Sequence, residues 1–160
     1  MPTNAKMPEL KRAFEAAGFT EVKTLLGSGN VLFTAPQKSV PALERKAEAA
    51  MQETLGRTFL TIMRPVEYLR TILQSDPFKR FKLKPEDKRV VTFLRNEPKA
   101  RIKVPATLGA ARILAHQGTE LYTVYQRGGA TPEFMRLIEK ICGKEVTTRT
   151  WDTVTKAAHL

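Results

Sequence analysis

Apolar residues recur along this chain at two spacings, three to four apart or every second position, and the alternation between them lays out its elements. In "MPELKRAFEAA" Met7, Leu10, Phe14 and Ala17 fall on one helical face, which predicts a helix over 7–17. Gly18 ends it as a left-handed cap. "EVKTLL" and "VLFT" read as strands joined by "GSGN" (27–30), since glycine and asparagine tolerate positive φ. Val40, Leu43, Ala47, Ala50, Met51 and Leu55 then predict a second helix over 40–54, closed by Gly56 and followed by a strand, "TFLTIM" (58–63). A short helix over 66–74 opens behind Pro65.

Beyond it, "SDPFKRFKLKPED" reads as a charged loop and "KRVVTFL" (88–94) as a strand. Pro98 and Pro105 make "RNEPKARIKVPATLG" a connection. "ARILAHQ" and "ELYTVYQ" form a hairpin about Gly118–Thr119. A helix over 131–142 follows, with Thr131 as N-cap, Pro132 at its first position and Gly143 beyond its end; "EVTTRT" (145–150) is a last strand and "WDTVTKAAHL" a last helix.

Strand, turn, strand, proline-bearing link, helix, glycine, strand describes 21–63 and again 111–150. "TLGRTFLT" and "ICGKEVTT" hold the same place in each run. The predicted fold class is therefore α+β, with two tandem ferredoxin-like (β-α-β-β-α-β) halves, the first lacking its N-terminal strand. The expected division is an N-terminal half over 1–75, a basic linker over 76–87 and a C-terminal half over 88–160. Because the first strand of such a sheet is central, its loss would expose strand edges, through which a homo-oligomer is expected to form.

Composition changes this picture at one point. Of the 160 residues 27 are Lys or Arg and 16 Asp or Glu, a formal charge of +11, and the segment 79–103 alone carries +7. A concentrated positive field attracts polyanions, so nucleic acid or another anionic ligand is the expected partner. Lys79, Arg80, Lys82, Lys84, Lys88 and Arg89 are the candidate phosphate contacts. The competing reading is a basic, solvated surface with no specific partner. No apolar run approaches the roughly 20 residues of a membrane span, and no signal peptide opens the chain. The single cysteine, Cys142, allows no intramolecular disulfide, which fits a reducing, cytosolic compartment.

Chemistry-bearing residues are sparse. His116, His159 and Cys142 are too few and too scattered for a metal site, and no metal or cofactor is expected. Cys142 ends a helix, where the dipole disfavours a thiolate. "GSGN" joins two strands instead of leading into a helix and lacks the Gly-Lys-Ser/Thr ending of a phosphate loop, although Ser28 and Asn30 would stand at a sheet rim. The last stretch, "TTRTWDTVTK", has two readings. Thr150 caps a helix, Asp152 and Lys156 pair four residues apart, and Trp151, Val154 and Ala158 share a buried face. Alternatively Arg149 and Trp151 lie exposed to hold a phosphate and stack on a base, extended by Arg112, Tyr122, Tyr125 and Arg127.

Taken together, "NAKMPELKRAFEAAGFTEVKTLLGSGNVLF" and "TTRTWDTVTKAA" resemble the bacterial family called domain of unknown function 1697. Asn4, Lys6 and Met7 match the start of its first helix, Gly18 and Phe19 its exit, and Thr24 with Ser28, Gly29 and Asn30 its hairpin. Arg149, Trp151, Thr153, Thr155 and Lys156 match its closing run. Thr150 and Asp152 stand where the family usually has asparagine. The resemblance implies two ferredoxin-like halves and carries no activity with it. The family usually begins with a strand and a glycine-bearing turn that are absent here, which is expected to reflect a start set too far downstream; a truncation and a strand supplied by a partner are the alternatives.

Two functions follow as expectations. The first is a non-catalytic binding module for an anionic ligand, nucleic acid first, with Asn4, Lys6, Ser28, Gly29, Asn30, Arg149, Trp151 and Lys156 as further ligand-binding candidates. The second is an enzyme acting on a small phosphorylated or acidic metabolite between the halves, positioned by Asn4, Lys6, Ser28, Asn30 and Arg149. A structural or oligomeric role without ligand is a third.

Overall fold

A computed structural model describes residues 6–25, 29–36, 39–98, 101–108, 110–126 and 132–159. The described residues form five helices and two antiparallel sheets, an α+β protein. They pack as two units, Met1–Arg64 and Pro65–Leu160.

The first unit runs α1 (Met7–Ala16), β1 (Thr20–Leu25), β2 (Asn30–Thr34) and α2 (Val40–Leu55). Its core is the one the helical spacing predicts, with Leu10, Ala13 and Phe14 of α1 against Ala47 and Met51 of α2. Phe14, Phe19 and Phe33 pack ring on ring, with Phe19 and Phe33 stacked at 4.6 Å. Gly18 turns the chain out of α1 at φ 91°, in the left-handed region where glycine carries no Cβ penalty. The hairpin β1–β2 pairs Leu25 with Asn30, whose side-chain amide donates to the Leu25 carbonyl at 3.1 Å. The register slips between Thr20 and Lys23 beside Glu21, which sits at φ 51°. That bulge and the charges of Glu21 and Lys23 blunt the outer edge of β1. Among the described strands β2 has β1 as its only neighbour.

The strand expected over 58–63 does not form. Its alternation is present, with Met63 buried and Leu60 exposed, but a strand needs the ladder of a neighbour. Here carboxylates of α2 serve the backbone instead. Glu48 accepts from the Thr61 N–H at 2.9 Å, and the buried Glu44 accepts from the Met63 N–H at 2.8 Å.

The second unit contains α3 (Val66–Ser75), β3 (Lys88–Leu94), β4 (Ala106–Leu108), β5 (Ala111–Gln117), β6 (Glu120–Tyr125), α4 (Pro132–Cys142), β7 (Val146–Thr150) and α5 (Trp151–Ala158). The sheet order is β4-β5-β6-β3-β7, antiparallel throughout. The short strand β4 lies in the segment expected to be only a connection; it adds three residues to the edge by folding back on β5. On one face Leu94, Ile113 and Leu121 pack against Phe134 and Ile138 of α4. On the other, Tyr122 meets Phe78, and Glu120 accepts a hydrogen bond from the Tyr68 hydroxyl of α3. Arg70 of α3 donates to the carbonyl of Ala158 at the end of α5 at 2.9 Å. The N-cap expected at Thr131 lies outside the described residues.

The unit boundary falls between Arg64 and Pro65, ahead of the division expected after residue 75. Two buried side chains account for it. Ile72 of α3 and Phe78 just beyond it sit in the core of the second unit, so the helix and the charged segment belong to that unit.

The last helix follows the capping pattern. The Thr150 hydroxyl accepts from the Thr153 N–H at 3.2 Å, Lys156 pairs with Asp152 at 3.0 Å, and Val154 and Ala158 are buried. The exposed Asp152–Lys156 pair is worth only a few tenths of a kcal/mol, whereas Thr150→Ala is expected to cost about 1 kcal/mol. Urea denaturation followed by Trp151 fluorescence would read it; an unchanged midpoint would remove the cap from the account.

Candidate anion-binding surface

The segment 76–89 carries the densest charge and is anchored at both ends. At the first, Asp76 ends α3 at φ 40°, and its carboxylate accepts from the Phe78 N–H at 3.1 Å. The backbone then turns twice, with Lys79 N–H on the Asp76 carbonyl and Phe81 N–H on the Phe78 carbonyl, each at 3.1 Å. Phe78 is 1% exposed and meets Tyr122 and Trp151 edge-on, at 5.7 and 5.1 Å between ring centroids.

At the second anchor, "KPED" closes a turn in which the Asp87 N–H reaches the Lys84 carbonyl at 3.0 Å, with Pro85 at the position that its fixed φ favours. The Asp87 carboxylate accepts from the Lys84 N–H at 2.8 Å and from the Gln126 side chain at 3.1 Å, and lies 3.8 Å from the Arg112 guanidinium. Its side chain is 2% exposed, covered by these neighbours in a thin layer close to the surface. The Lys84 N–H holds the carboxyl below the usual carboxylate range against the opposing pull of burial, helped by Gln126 and the positive charge of Arg112.

On this fixed backbone Lys79, Arg80, Lys82, Lys84, Lys88 and Arg89 are all exposed. Lys88 and Arg89 open β3 opposite Tyr125 and Val124, so they project to opposite faces of the sheet end. Two cations lie over half-buried rings: the Arg80 guanidinium 5.0 Å from the centre of Phe81, and the Lys88 ammonium 6.0 Å from that of Tyr125. The six phosphate candidates thus lie along two turn regions, the link between them and one strand start, with Lys88 and Arg89 on opposite faces of the sheet end.

The other candidates are placed differently. Arg149 pairs with Val91 across the sheet, and its guanidinium donates to the Thr147 hydroxyl at 2.6 Å and the Thr148 carbonyl at 2.9 Å. Burial pushes the guanidinium below its usual range. Trp151 is half-buried against Phe78. Tyr122 does not extend a surface there: it is 1% exposed, and burial together with the Glu120 charge pushes its phenol well above the usual range. Lys6 is exposed ahead of α1, Gly29 and Asn30 are half-buried at the β1–β2 turn, and Lys156 faces solvent beside Asp152. Asn4, Ser28 and Arg127 lie outside the described residues. Cys142 is half-buried, and desolvation pushes its thiol up. No three His, Cys, Asp or Glu side chains converge among the described residues, and no described helix is long and apolar enough to cross a membrane.

Sequence reasoning did not single out Phe78, Asp87 or Gln126. The available signals were "DPF" after a helix end and the Lys-Pro-Glu-Asp turn, both hidden in what reads as a charge run.

The fold class is therefore an α+β protein whose second unit bears an anchored basic turn. By its match over residues 2–122, the chain belongs to the family described as "Protein of unknown function (DUF1697)". The closing "RTWDTV" run lies beyond the matched span. Among solved structures it resembles a conserved bacterial protein from Streptococcus pneumoniae, with a TM-score of 0.68 over 98% of this chain and 88% of that one. At 16% identity that likeness is one of fold. A comparison with curated proteins finds no match.

Proposed function

We propose that the protein is a non-catalytic binding module that takes a polyanion, nucleic acid first, on the anchored basic turn of its second unit. The observation that carries this reading is the exposure of Lys79, Arg80, Lys82, Lys84, Lys88 and Arg89 on a backbone held by Phe78 and Asp87. A solvated charge run needs no such anchors. A backbone already held in place loses little freedom on binding, which is where preorganised sites gain affinity. Three acids stand against the six cations, the exposed Glu86, the paired Asp87 and Asp76, whose carboxylate holds the Phe78 N–H, so the local field stays positive.

We also infer that the second unit is a ferredoxin-like variant. Supporting this, β3 lies between β6 and β7, β5 and β6 form the hairpin, and α4 crosses from β6 to β7. The connection carrying Ile102, buried against the α4 core, takes the place of the first helix. The sheet face that such folds often offer to RNA is filled here by Phe78 and α3, which leaves the turn at the sheet end as the accessible basic surface.

The test is fluorescence anisotropy with labelled oligonucleotides over a salt series. Binding with a log–log slope of about −4 or steeper supports several phosphates neutralised together. Lys79→Gln, Arg80→Gln, Lys82→Gln and Lys84→Gln in one chain should flatten that slope by about 3, at roughly 0.7–0.9 per contact. No binding at low salt would sink the proposal. A slope unchanged by the four substitutions would move the site elsewhere.

A further inference from the structure

We propose that the basic turn selects single-stranded over double-stranded nucleic acid, an inference that rests on the function proposed above. Two observations carry it beyond net charge. The first is the pairing of cations with half-buried rings. Arg80 lies over Phe81 and Lys88 over Tyr125, at 5.0 and 6.0 Å, so two of the cations combine a phosphate-binding charge with a half-buried ring, that of Tyr125 packed against the α4 core. A guanidinium supported from behind by a ring is a planar cationic platform on which an unpaired base can stack. Bases inside a duplex are already stacked and offer no face to it.

The second observation is the shape of what carries the charges. Reading a duplex in its major groove takes a helix or a two-stranded ribbon that enters the groove. Lys79 and Arg80 stand on a turn, Lys82 and Lys84 on the irregular link to the next one, and Lys88 and Arg89 at the start of a strand held between β6 and β7 in the five-stranded sheet. No described helix runs through 76–89. Such a rim can follow a flexible backbone, bending a strand so that phosphates meet Lys79, Lys82 and Lys84 while bases turn toward Arg80–Phe81 and Lys88–Tyr125. RNA and DNA strands share this chemistry.

The experiment compares one sequence as single strand and as duplex, in DNA and in RNA, by anisotropy at fixed salt with the full chain. The key variant is Arg80→Lys, which keeps the charge and removes the plane. Phe81→Leu and Tyr125→Leu keep apolar bulk and remove the rings, with circular dichroism confirming the fold. The single strand should bind at least fivefold tighter than the duplex. Arg80→Lys and Phe81→Leu should each weaken single-strand binding by roughly 5- to 150-fold, the range of one lost base stack. The salt slope should stay unchanged, and the loss on the duplex should be smaller than that on the single strand. A duplex bound as tightly as the single strand overturns the selectivity while leaving the binding function standing. Equal losses on both forms with Arg80→Lys overturn it as well. Absence of binding to every probe overturns both.

Discussion

Phe78→Ala is expected to destabilise the second unit by about 3–5 kcal/mol, the usual cost of deleting a fully buried phenylalanine and leaving its cavity. Total domain stabilities run to about 5–15 kcal/mol, so this one ring holds a large part of the margin. The effect is large because Phe78 is 1% exposed and bridges two layers, meeting Tyr122 on the sheet and Trp151 at the start of α5. Trp151 is the only tryptophan in the chain, which makes it a clean reporter. Its emission should shift to the red, and the urea midpoint read from it should fall. Phe78→Leu, which keeps most of the volume, should cost less than about 1.5 kcal/mol. A loss below 1 kcal/mol on Phe78→Ala would mean that the ring does not fasten the basic turn to the sheet.

That a charged, proline-bearing segment holds such a residue explains where sequence reading succeeds and where it stops. The helices were legible because their apolar faces recur at helical spacing: Leu10 and Phe14, Ala47 and Met51, and Val154 and Ala158 are buried as that spacing requires. Caps were legible for the same local reason, as at Thr150 and Gly18. The failures involve partners remote in sequence. Residues 58–63 have strand periodicity, yet what receives their N–H groups is the pair Glu44 and Glu48, at positions that look like the polar side of a helix. Strand β4 exists only because it folds onto β5, beyond a proline that argues against any strand. Among the site residues, the cations were visible as composition, but the carboxylate that organises them was not. Asp87 reads as one more charge in the run until Gln126 and Arg112, 39 and 25 positions along the chain, come to lie beside it.

Asp87→Ala should therefore weaken both the fold and the binding, and the direction of the second effect is diagnostic. On stability, the variant leaves the Lys84 N–H without its acceptor and the Arg112 guanidinium without its acid, a loss of about 1–3 kcal/mol. The pH dependence has a definite sign. A carboxyl held below its ordinary range binds fewer protons in the folded state than in the unfolded one. Its contribution is complete about one unit above the ordinary carboxylate value, at about pH 5 and upward, and is lost as pH falls through the lowered value. The gap between the parent protein and Asp87→Ala should stay constant from about pH 5 to 7 and narrow below about pH 4, measured by denaturant titration at each pH. On binding, simple electrostatics predicts the opposite of what the anchored turn predicts. Removing a negative charge from a basic surface should tighten a polyanion if charge alone decides. If the Asp87 contacts hold the backbone that carries Lys84 and Lys88 in place, affinity should fall by about two- to tenfold, the cost of ordering a turn no longer held beforehand. Asp87→Asn separates the two causes, because it removes the same charge while keeping an oxygen for the Lys84 N–H. Tighter binding by Asp87→Ala would reduce the surface to its net charge, whereas weaker binding by Asp87→Ala with near-parent binding by Asp87→Asn would make the turn, held by one buried acid, the element that turns scattered cations into a site.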